Sequence, residues 1–443
     1  NTVVGDEAGT AITTGDKNVF VGTLAGDATT TAGENVAIGY DSLGTNILGS
    51  ASVAVGPSAL RTQNYGSATN AFNTAVGHFA GYAVTTGIQN TFIGGLAGDA
   101  NTTASYNTAV GYGSLTANTT GADNTAVGRT ALENNTTADN NTAVGKAALA
   151  QNTTGASNTA LGSLALNLNT TGTQNTAIGA TALDACTTGN NNTVVGYGSA
   201  GVQTTNSAVT AIGSEVLKVN TGNENTSIGA FSMNANTSGV QNTAVGVSAL
   251  QSNTTGTQNI AVGATAGDAL TEGNYNVAVG FTALGTDTKG SKSVALGNYA
   301  LAFQNLTSAT DTYNTAVGHL AGYQVTTATF NTLIGGLAGD SITTGGANTA
   351  VGYSALTTST TGSNNTSIGR ESLRVTTTGS NNVGVGSYAM YDNTTGGSNV
   401  AIGESALSNN TTASNNTAVG KSALLANTTG TNNVAIGANA LDA

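Results

Sequence analysis

The two histidines, His78 and His319, come first, because imidazole is both a general base and a common metal ligand. Each follows the glycine of a Val-Gly step, and each precedes a tyrosine, Tyr82 or Tyr323, by four residues. Catalysis or metal binding would need further ligands, acids or bases at a recurring spacing, and none accompanies the pair. The sequence therefore favours a duplicated surface feature, with no catalytic residue, metal site or cofactor.

Acidic residues recur directly after Ala-Gly, as in Asp99, Asp268 and Asp340. Carboxylates could bind calcium there, but the Gly-Gly-x-Gly-x-Asp spacing of calcium-binding β-rolls is absent. The stretch GGLAGD from Gly94 does not join a long strand to a helix, so phosphate binding has no support either. We expect neither ligand.

Cys186 is the only cysteine, so no disulfide forms within one chain. Other copies of the repeat have Asn118, Asn135 or Asn152 in its place, which predicts a small residue in a tolerant position rather than a reactive thiol. Many Asn-x-Ser/Thr triplets match the acceptor for N-glycosylation. Because they follow the period of the repeat, a role in turns or ladders is favoured.

Composition excludes several classes of protein. The chain has 10 Lys+Arg against 22 Asp+Glu, a net charge of -12, and nucleic acid would require clustered cations. Only 7% of its 443 residues are charged and 62 are glycine, so Asn, Thr, Ser and Gly must form the solvent face. No apolar run approaches the length of a membrane span, so we expect none in this segment.

One unit of about 17 residues repeats along the whole chain, as in NTAVGKAALAQNTTGAS from Asn141. We count 26 such units, here called coils, and number the positions of each coil from its first residue. A disordered low-complexity chain would have a similar composition, but it has no reason to keep a β-branched residue in register with a glycine. Repetition at a fixed period is typical of a solenoid.

Three positions of the coil are nearly constant. Position 4 is Val or Ile except at Leu161 and Leu296, and position 5 is always glycine, which predicts a strand that runs into a turn. The constant glycine implies a main chain that has a positive φ or is pressed close to its neighbour. Position 1 is Asn in 23 coils, the exceptions being Ser52, Val209 and Ser293, which predicts a ladder of stacked amides. Representative turn glycines are Gly111, Gly128, Gly145, Gly162 and Gly179, and representative ladder residues are Asn107, Asn124, Asn141, Asn158 and Asn175.

These patterns predict an all-β fold, a parallel β-solenoid of about 26 coils. We expect two short strands in each coil, at positions 1 to 4 and around positions 7 to 10, with turns at the glycine and at Thr-Thr-Gly. Side chains alternate along a strand, and the exchange of Thr with Val at position 2 predicts that positions 2 and 4 face the interior. Ala-Leu at positions 8 and 9 should add a second apolar step.

A second, longer period is also present. Two coils of 21 residues, Ser52–Phe72 and Ser293–Tyr313, begin 241 residues apart, and the coils after them match as well. We therefore predict one super-repeat of 14 coils over residues 1–241 and an incomplete second copy over 242–443, in one continuous solenoid without a linker. Because the chain begins at position 1 of a coil and stops inside another, we expect it to be a segment of a longer protein.

The NTAVG-x-x-AL core, with SVAVGPSAL from Ser52 and SVALGNYAL from Ser293, resembles the head repeats of trimeric autotransporter adhesins. It is also similar to Asn/Thr/Gly-rich repeats of bacterial surface proteins and of phage tail-fibre-like proteins. The adhesin resemblance implies a left-handed parallel β-roll with three chains side by side, displayed outside the cell for attachment. The repeat here is mostly 17 residues long, against about 14 in that family.

We therefore expect an extracellular or cell-surface protein without enzymatic activity, a structural filament or fibre of a cell surface or biofilm matrix. Its partners would be further copies in a fibre or homotrimer, with surface glycans or matrix as further partners. The alternative is an adhesin or the shaft of a phage tail fibre. An ice-binding solenoid is a third possibility, although the adjacent Thr pair at positions 13 and 14 would expose only one column.

Overall fold

The computed structural model describes residues 1–442. It is all-β: the described residues form no helix, and 26 three-residue strands, here called core strands, pair in parallel at intervals of about 17 residues. Each core strand occupies positions 2 to 4 of its coil. The predicted parallel β-solenoid is confirmed.

Two compact units make up the chain, and the first is Asn1–Thr221. Its core strands each pair with the next along the chain and are Thr2–Val4, Val19–Val21, Val36–Ile38, Val53–Val55, Thr74–Val76, Thr91–Ile93, Thr108–Val110, Thr125–Val127, Thr142–Val144, Thr159–Leu161, Thr176–Ile178, Thr193–Val195 and Thr210–Ile212. The 21-residue coil adds a two-stranded parallel sheet, Gly49–Ser50 with Thr69–Asn70.

The second unit begins at Gly222 and is built in the same way. Its core strands are Thr226–Ile228, Thr243–Val245, Ile260–Val262, Val277–Val279, Val294–Leu296, Thr315–Val317, Thr332–Ile334, Thr349–Val351, Thr366–Ile368, Val383–Val385, Val400–Ile402, Thr417–Val419 and Val434–Ile436. Gly290–Ser291 pairs with Thr310–Asp311 beside its own 21-residue coil. The super-repeats over residues 1–241 and 242–443 concern the origin of the sequence and stay a prediction.

The register stacks like positions on like, so that Ala126 pairs with Ala143 and Val127 with Val144. Position 3 faces the interior: Ala143 is completely buried, whereas Thr142 and Val144 are half-buried. The prediction that positions 2 and 4 face the interior is therefore wrong. Side chains alternate, so the inward set is either positions 1 and 3 or positions 2 and 4. Positions 1 and 3 face inward because the interior of the coil is narrow. It accommodates the small Ala at position 3 and the Asn at position 1, whose amide forms hydrogen bonds with main-chain groups.

The predicted second strand around positions 7 to 10 does not form in residues 1–442, where this stretch is a series of turns. Ala147 and Leu149 both have φ of 53°, the left-handed region, which an extended strand excludes. Ala148 and Leu149 nevertheless face the interior, and the Leu149 N–H donates to the Ala165 carbonyl of the next coil at 3.0 Å. The second apolar step thus exists, joined to its neighbours by turn-to-turn hydrogen bonds.

Interior volume is conserved between coils with different residues. Some coils have Gly in place of Leu at position 9, and there a larger side chain fills the space. Phe92, at position 3, is completely buried between Gly81 and Gly98. A Cβ on Gly98 would lie 2.4 Å from the Phe92 ring, and one on Gly81 would lie 2.7 Å from it. The two positions compensate because a close-packed interior tolerates neither a void nor an overlap.

Candidate functional site

The position-5 glycines bring the main chains of successive coils into contact. The φ of Gly145 is 136°, and a Cβ there would lie 2.4 Å from the Gly162 carbonyl oxygen. The other representative glycines have the same conformation, with φ between 130° and 140°: Gly111, Gly128, Gly162 and Gly179. Any side chain would both strain this φ and overlap the next coil. These glycines shape the solenoid and present no group for chemistry.

The position-1 asparagines join side chain to main chain. Asn141 is completely buried, and its Nδ2 donates to the Gly155 carbonyl of its own coil at 3.0 Å. Its Oδ1 accepts the Asn158 N–H of the next coil at 2.9 Å. The same two bonds recur at Asn107, Asn124, Asn158 and Asn175. Each amide therefore bonds two main-chain groups, and it is the side-chain acceptor for the N–H that begins the next coil.

A second amide ladder, which the sequence analysis missed, lies at position 12. Asn152 is completely buried, and its Nδ2 donates to Asn135 Oδ1 of the preceding coil at 2.8 Å and to the Gly155 carbonyl at 2.9 Å. Asn135 in turn donates to Asn118 Oδ1 at 2.9 Å. The recurrence of Asn at position 12 could have predicted this ladder, but Asn is also common in turns and was therefore not distinctive.

Cys186 interrupts the position-12 ladder. It is completely buried, and its Sγ lies 3.8 Å from the Gly189 carbonyl. Burial raises the pKa of its thiol, which disfavours the thiolate form that acts as a nucleophile. On the two sides of the break, Asn169 Oδ1 and both polar atoms of the Gln203 side chain have no hydrogen-bond partner. Asn253 Oδ1 is left unpaired in the same way below Leu270, another non-amide at position 12.

Replacing Cys186 with asparagine is expected to raise the free energy of unfolding by about 1–2 kcal/mol, because the new amide would donate to Asn169 Oδ1 and accept from the Gln203 side chain. Chemical denaturation measures the change. The reverse substitution, Asn118→Cys, should destabilise the protein by a similar amount, since it removes the donor to Asn101 Oδ1. A Cys186→Asn variant no more stable than the wild type would contradict this assignment of the ladder.

The histidines and aspartates that were considered as possible ligands or catalytic groups do not form a cluster in the structure. Residues 1–442 contain no group of three or more His, Cys, Asp or Glu that could hold a metal ion. His78 is exposed and packs edge-on against Phe79, with ring centroids 4.2 Å apart. Partial burial raises the pKa of Asp99, Asp268 and Asp340, which lie in separate coils. A bound cation would require several carboxylates around one point, and this arrangement offers none.

The outward side chains at positions 2 and 4 of the core strands form what we call the sheet face of each unit. Every one of them is Thr, Val, Ile or Leu, so the face carries no charge. In the first unit, position 2 is Thr in nine successive coils, from Thr74 to Thr210. The position-4 side chains are half-buried, as in Val144, or exposed, as in Ile93 (39%) and Leu161 (46%). In the second unit Ile260 is 43% exposed and Ile334 39% exposed.

The side chains of the sheet face form continuous columns within each unit. Contiguous apolar surface on a soluble protein marks an interaction site when it extends over more than a few side chains. Here the columns extend along the sheet of each unit in strict register. Sequence reasoning missed this face because it assigned the same residues to the interior.

No segment of residues 1–442 forms a helix with the length and apolar character that a membrane crossing requires. No model of a known protein family matches the chain, and no curated protein is significantly similar to it in sequence.

Proposed function

We propose that this protein is a structural component of an extracellular fibre or matrix, that copies of it associate side by side through the sheet face, and that it catalyses no reaction. The observation that carries the proposal is the uncharged, β-branched sheet face, which runs through the core strands of both units. The likeness of the NTAVG core to adhesin head repeats supports placement outside the cell.

Electrostatics supports contact through this face in particular. The chain has a net charge of -12, which opposes association between copies wherever the charges meet. The sheet face has none of that charge, and its Thr and Val side chains are stiff at χ1, so ordering them costs little conformational entropy. Two such faces would bury methyl groups against each other and leave the Thr hydroxyls able to bond across the contact.

Replacing Thr142 and Thr159 together with lysine is expected to weaken self-association at least about tenfold, because each buried cation would lack a partner. Sedimentation velocity over a range of protein concentrations measures this. The matched control, Thr154→Lys with Thr171→Lys, adds the same charge at exposed position-14 residues away from the sheet face. Equal weakening by both pairs, or a wild-type chain that stays monomeric at every concentration, would contradict the proposal.

Ice binding is a second candidate, and the position-2 threonines favour it. This column is separate from the Thr pair at positions 13 and 14 and lies on the sheet, from Thr74 to Thr210. Hydroxyl and methyl groups repeated about every 4.8 Å could order a layer of water. Thermal hysteresis of the wild-type solution that Thr142→Lys with Thr159→Lys removes would favour this function over self-association.

A further inference from the structure

An open groove of about 840 Å³ lies beside the 21-residue coil of the second unit. Phe303 and Tyr323 form its apolar wall, and Thr286, Asn305 and Gln324 contribute polar side chains. None of the residues that line it is charged. The volume is in the range of ligand sites, which combine an apolar surface with a few polar groups that fix orientation. This groove is separate from the sheet face, since none of its lining residues belongs to a core strand.

The aromatic wall is part of a connected string of rings. Phe303 meets Tyr323 edge to face, with centroids 4.9 Å apart, and Tyr323 meets Tyr299 at 6.1 Å. Tyr299 meets Phe281 at 5.3 Å in the same geometry. These contacts hold the rings in place, yet Phe303 is 47% exposed and Phe281 is 45% exposed. The string thus offers rigid aromatic surface to solvent.

Polar groups beside these rings are available to a ligand. The Tyr323 hydroxyl and the Gln324 side-chain amide make no hydrogen bond within residues 1–442. Asn305 accepts from the Thr288 hydroxyl at 3.3 Å through Oδ1, which leaves its Nδ2 free to donate. The groove therefore combines free donors and acceptors of neutral character with exposed ring faces.

The equivalent place in the first unit, 241 residues earlier, is closed. Arg61 stands there in place of Ala302, and Thr62 in place of Phe303. The Arg61 guanidinium donates to the Tyr82 hydroxyl at 2.9 Å, lies 5.8 Å from the centre of its ring, and pairs with Asp41. The tyrosine that corresponds to Tyr323 is thus covered by a cation. Two copies of one coil differ in whether the ring is open.

We propose that the groove of the second unit binds a neutral oligosaccharide, which packs a C–H face on the two rings of the wall and hydrogen-bonds to the two amides. Sugar C–H groups carry partial positive charge and are attracted to the negative face of an aromatic ring. Hydroxyls match amides, which both donate and accept. An anionic sugar would lack a cationic partner here, and an apolar ligand would leave the amides unpaired. The proposal does not depend on self-association.

Calorimetry and saturation-transfer NMR with cellohexaose, maltohexaose, laminarihexaose and N-acetylchitohexaose test this, with hexagalacturonate as the anionic comparison. At least one neutral hexasaccharide should bind with one site per chain, and Phe303→Ala should weaken its binding at least about tenfold. The matched control, Thr62→Ala, changes the equivalent residue of the closed site and should leave binding unchanged. Far-UV circular dichroism verifies that both variants fold. We expect Phe303→Ala to fold because the Phe303 ring is exposed.

Three results would overturn the proposal: no neutral hexasaccharide binds, hexagalacturonate binds as tightly as the best of them, or Phe303→Ala retains full affinity. A gain of function adds a stricter test. Arg61→Ala, Thr62→Phe and Ala83→Gln together transfer the open arrangement to the first unit and should raise the stoichiometry from one to two. A stoichiometry that stays at one would also overturn the assignment of binding to these rings and amides.

Discussion

Replacing Gly145 with alanine is expected to lower the free energy of unfolding by at least about 3 kcal/mol, a large loss for a single methyl group. Two effects combine. The φ of 136° is one that L-residues rarely adopt, and the new Cβ would lie 2.4 Å from the Gly162 carbonyl oxygen. That oxygen belongs to the main chain of the next coil, so it can move only if the coils separate. Thermal and chemical denaturation measure the loss.

Two other glycines separate the causes. Gly198 has φ of 60° and no atom within 4 Å of an added Cβ, so Gly198→Ala should cost only about 1 kcal/mol, through φ alone. Gly66 has open space and no positive φ, so Gly66→Ala should be neutral within about 0.5 kcal/mol. If all three variants were equally stable, close contact between coils at position 5 would be refuted.

Replacing Asn141 with alanine is the second change with a large expected effect, a loss of about 2–4 kcal/mol. The substitution leaves the Asn158 N–H without its acceptor and leaves the Gly155 carbonyl with Asn152 Nδ2 as its one remaining side-chain donor. Neither group can turn to water, since Asn141 and its neighbours in the column are completely buried. The orphaned Asn158 N–H then adds a desolvation cost, and the Gly155 carbonyl loses one of its two hydrogen bonds. Native-state hydrogen exchange should show the loss of protection first at the Asn158 amide.

Asn134→Ala is the matched control, because the Asn134 side chain is half-buried and its Nδ2 donates only to Gln151 Oε1, at 3.1 Å. We expect a change of no more than about 0.5 kcal/mol. The natural exceptions support the account. Where Ser293 replaces Asn, the buried Gln304 extends into the gap, donates to Ser293 Oγ at 2.8 Å and accepts from Asn314 at 2.9 Å. Equal stability of the two alanine variants would contradict the role of the position-1 amide.

The period of the sequence was sufficient to predict the fold class, because a solenoid stacks like positions and each position then reports one environment. The invariant glycine at position 5 predicted a close approach, and the structure shows it between Gly145 and Gly162. What the period could not give is the direction of each side chain. Position 4 is β-branched in nearly every coil, which fits an interior and an outward interface equally well. The burial of Ala143 at position 3 shows that position 4 faces outward.

The turn stretch was beyond prediction for a different reason. Ala147 and Leu149, at positions 7 and 9, both have φ of 53°, in a region that costs about 1 kcal/mol for each L-residue. Propensity therefore favours a strand at positions 7 to 10. Stacking overrides it, because the same conformation in every coil aligns donors with acceptors, as between Leu149 and Ala165. The hydrogen bonds that offset the cost of the positive φ form only between coils, so the sequence of one coil does not predict this conformation.

The sheet face and the groove differ in how far the sequence could have predicted them. The sheet face lay in the most regular part of the repeat and was assigned to the interior. The groove depends on departures from the repeat, Ala302 and Phe303 in place of Arg61 and Thr62. A search of the two 21-residue coils for such differences could have found the residues, but the open ring of Tyr323 needed the structure.

Electron cryomicroscopy of the assembled wild-type protein tests the central claim most directly, because it shows which surfaces of neighbouring chains meet. The account predicts that sheet faces meet, with the position-2 and position-4 side chains of one chain packed on those of another and a repeat of about 4.8 Å along each sheet. Chains that stay single with the sheet face in solvent, or that join through the Thr-Thr corner at positions 13 and 14, would contradict it.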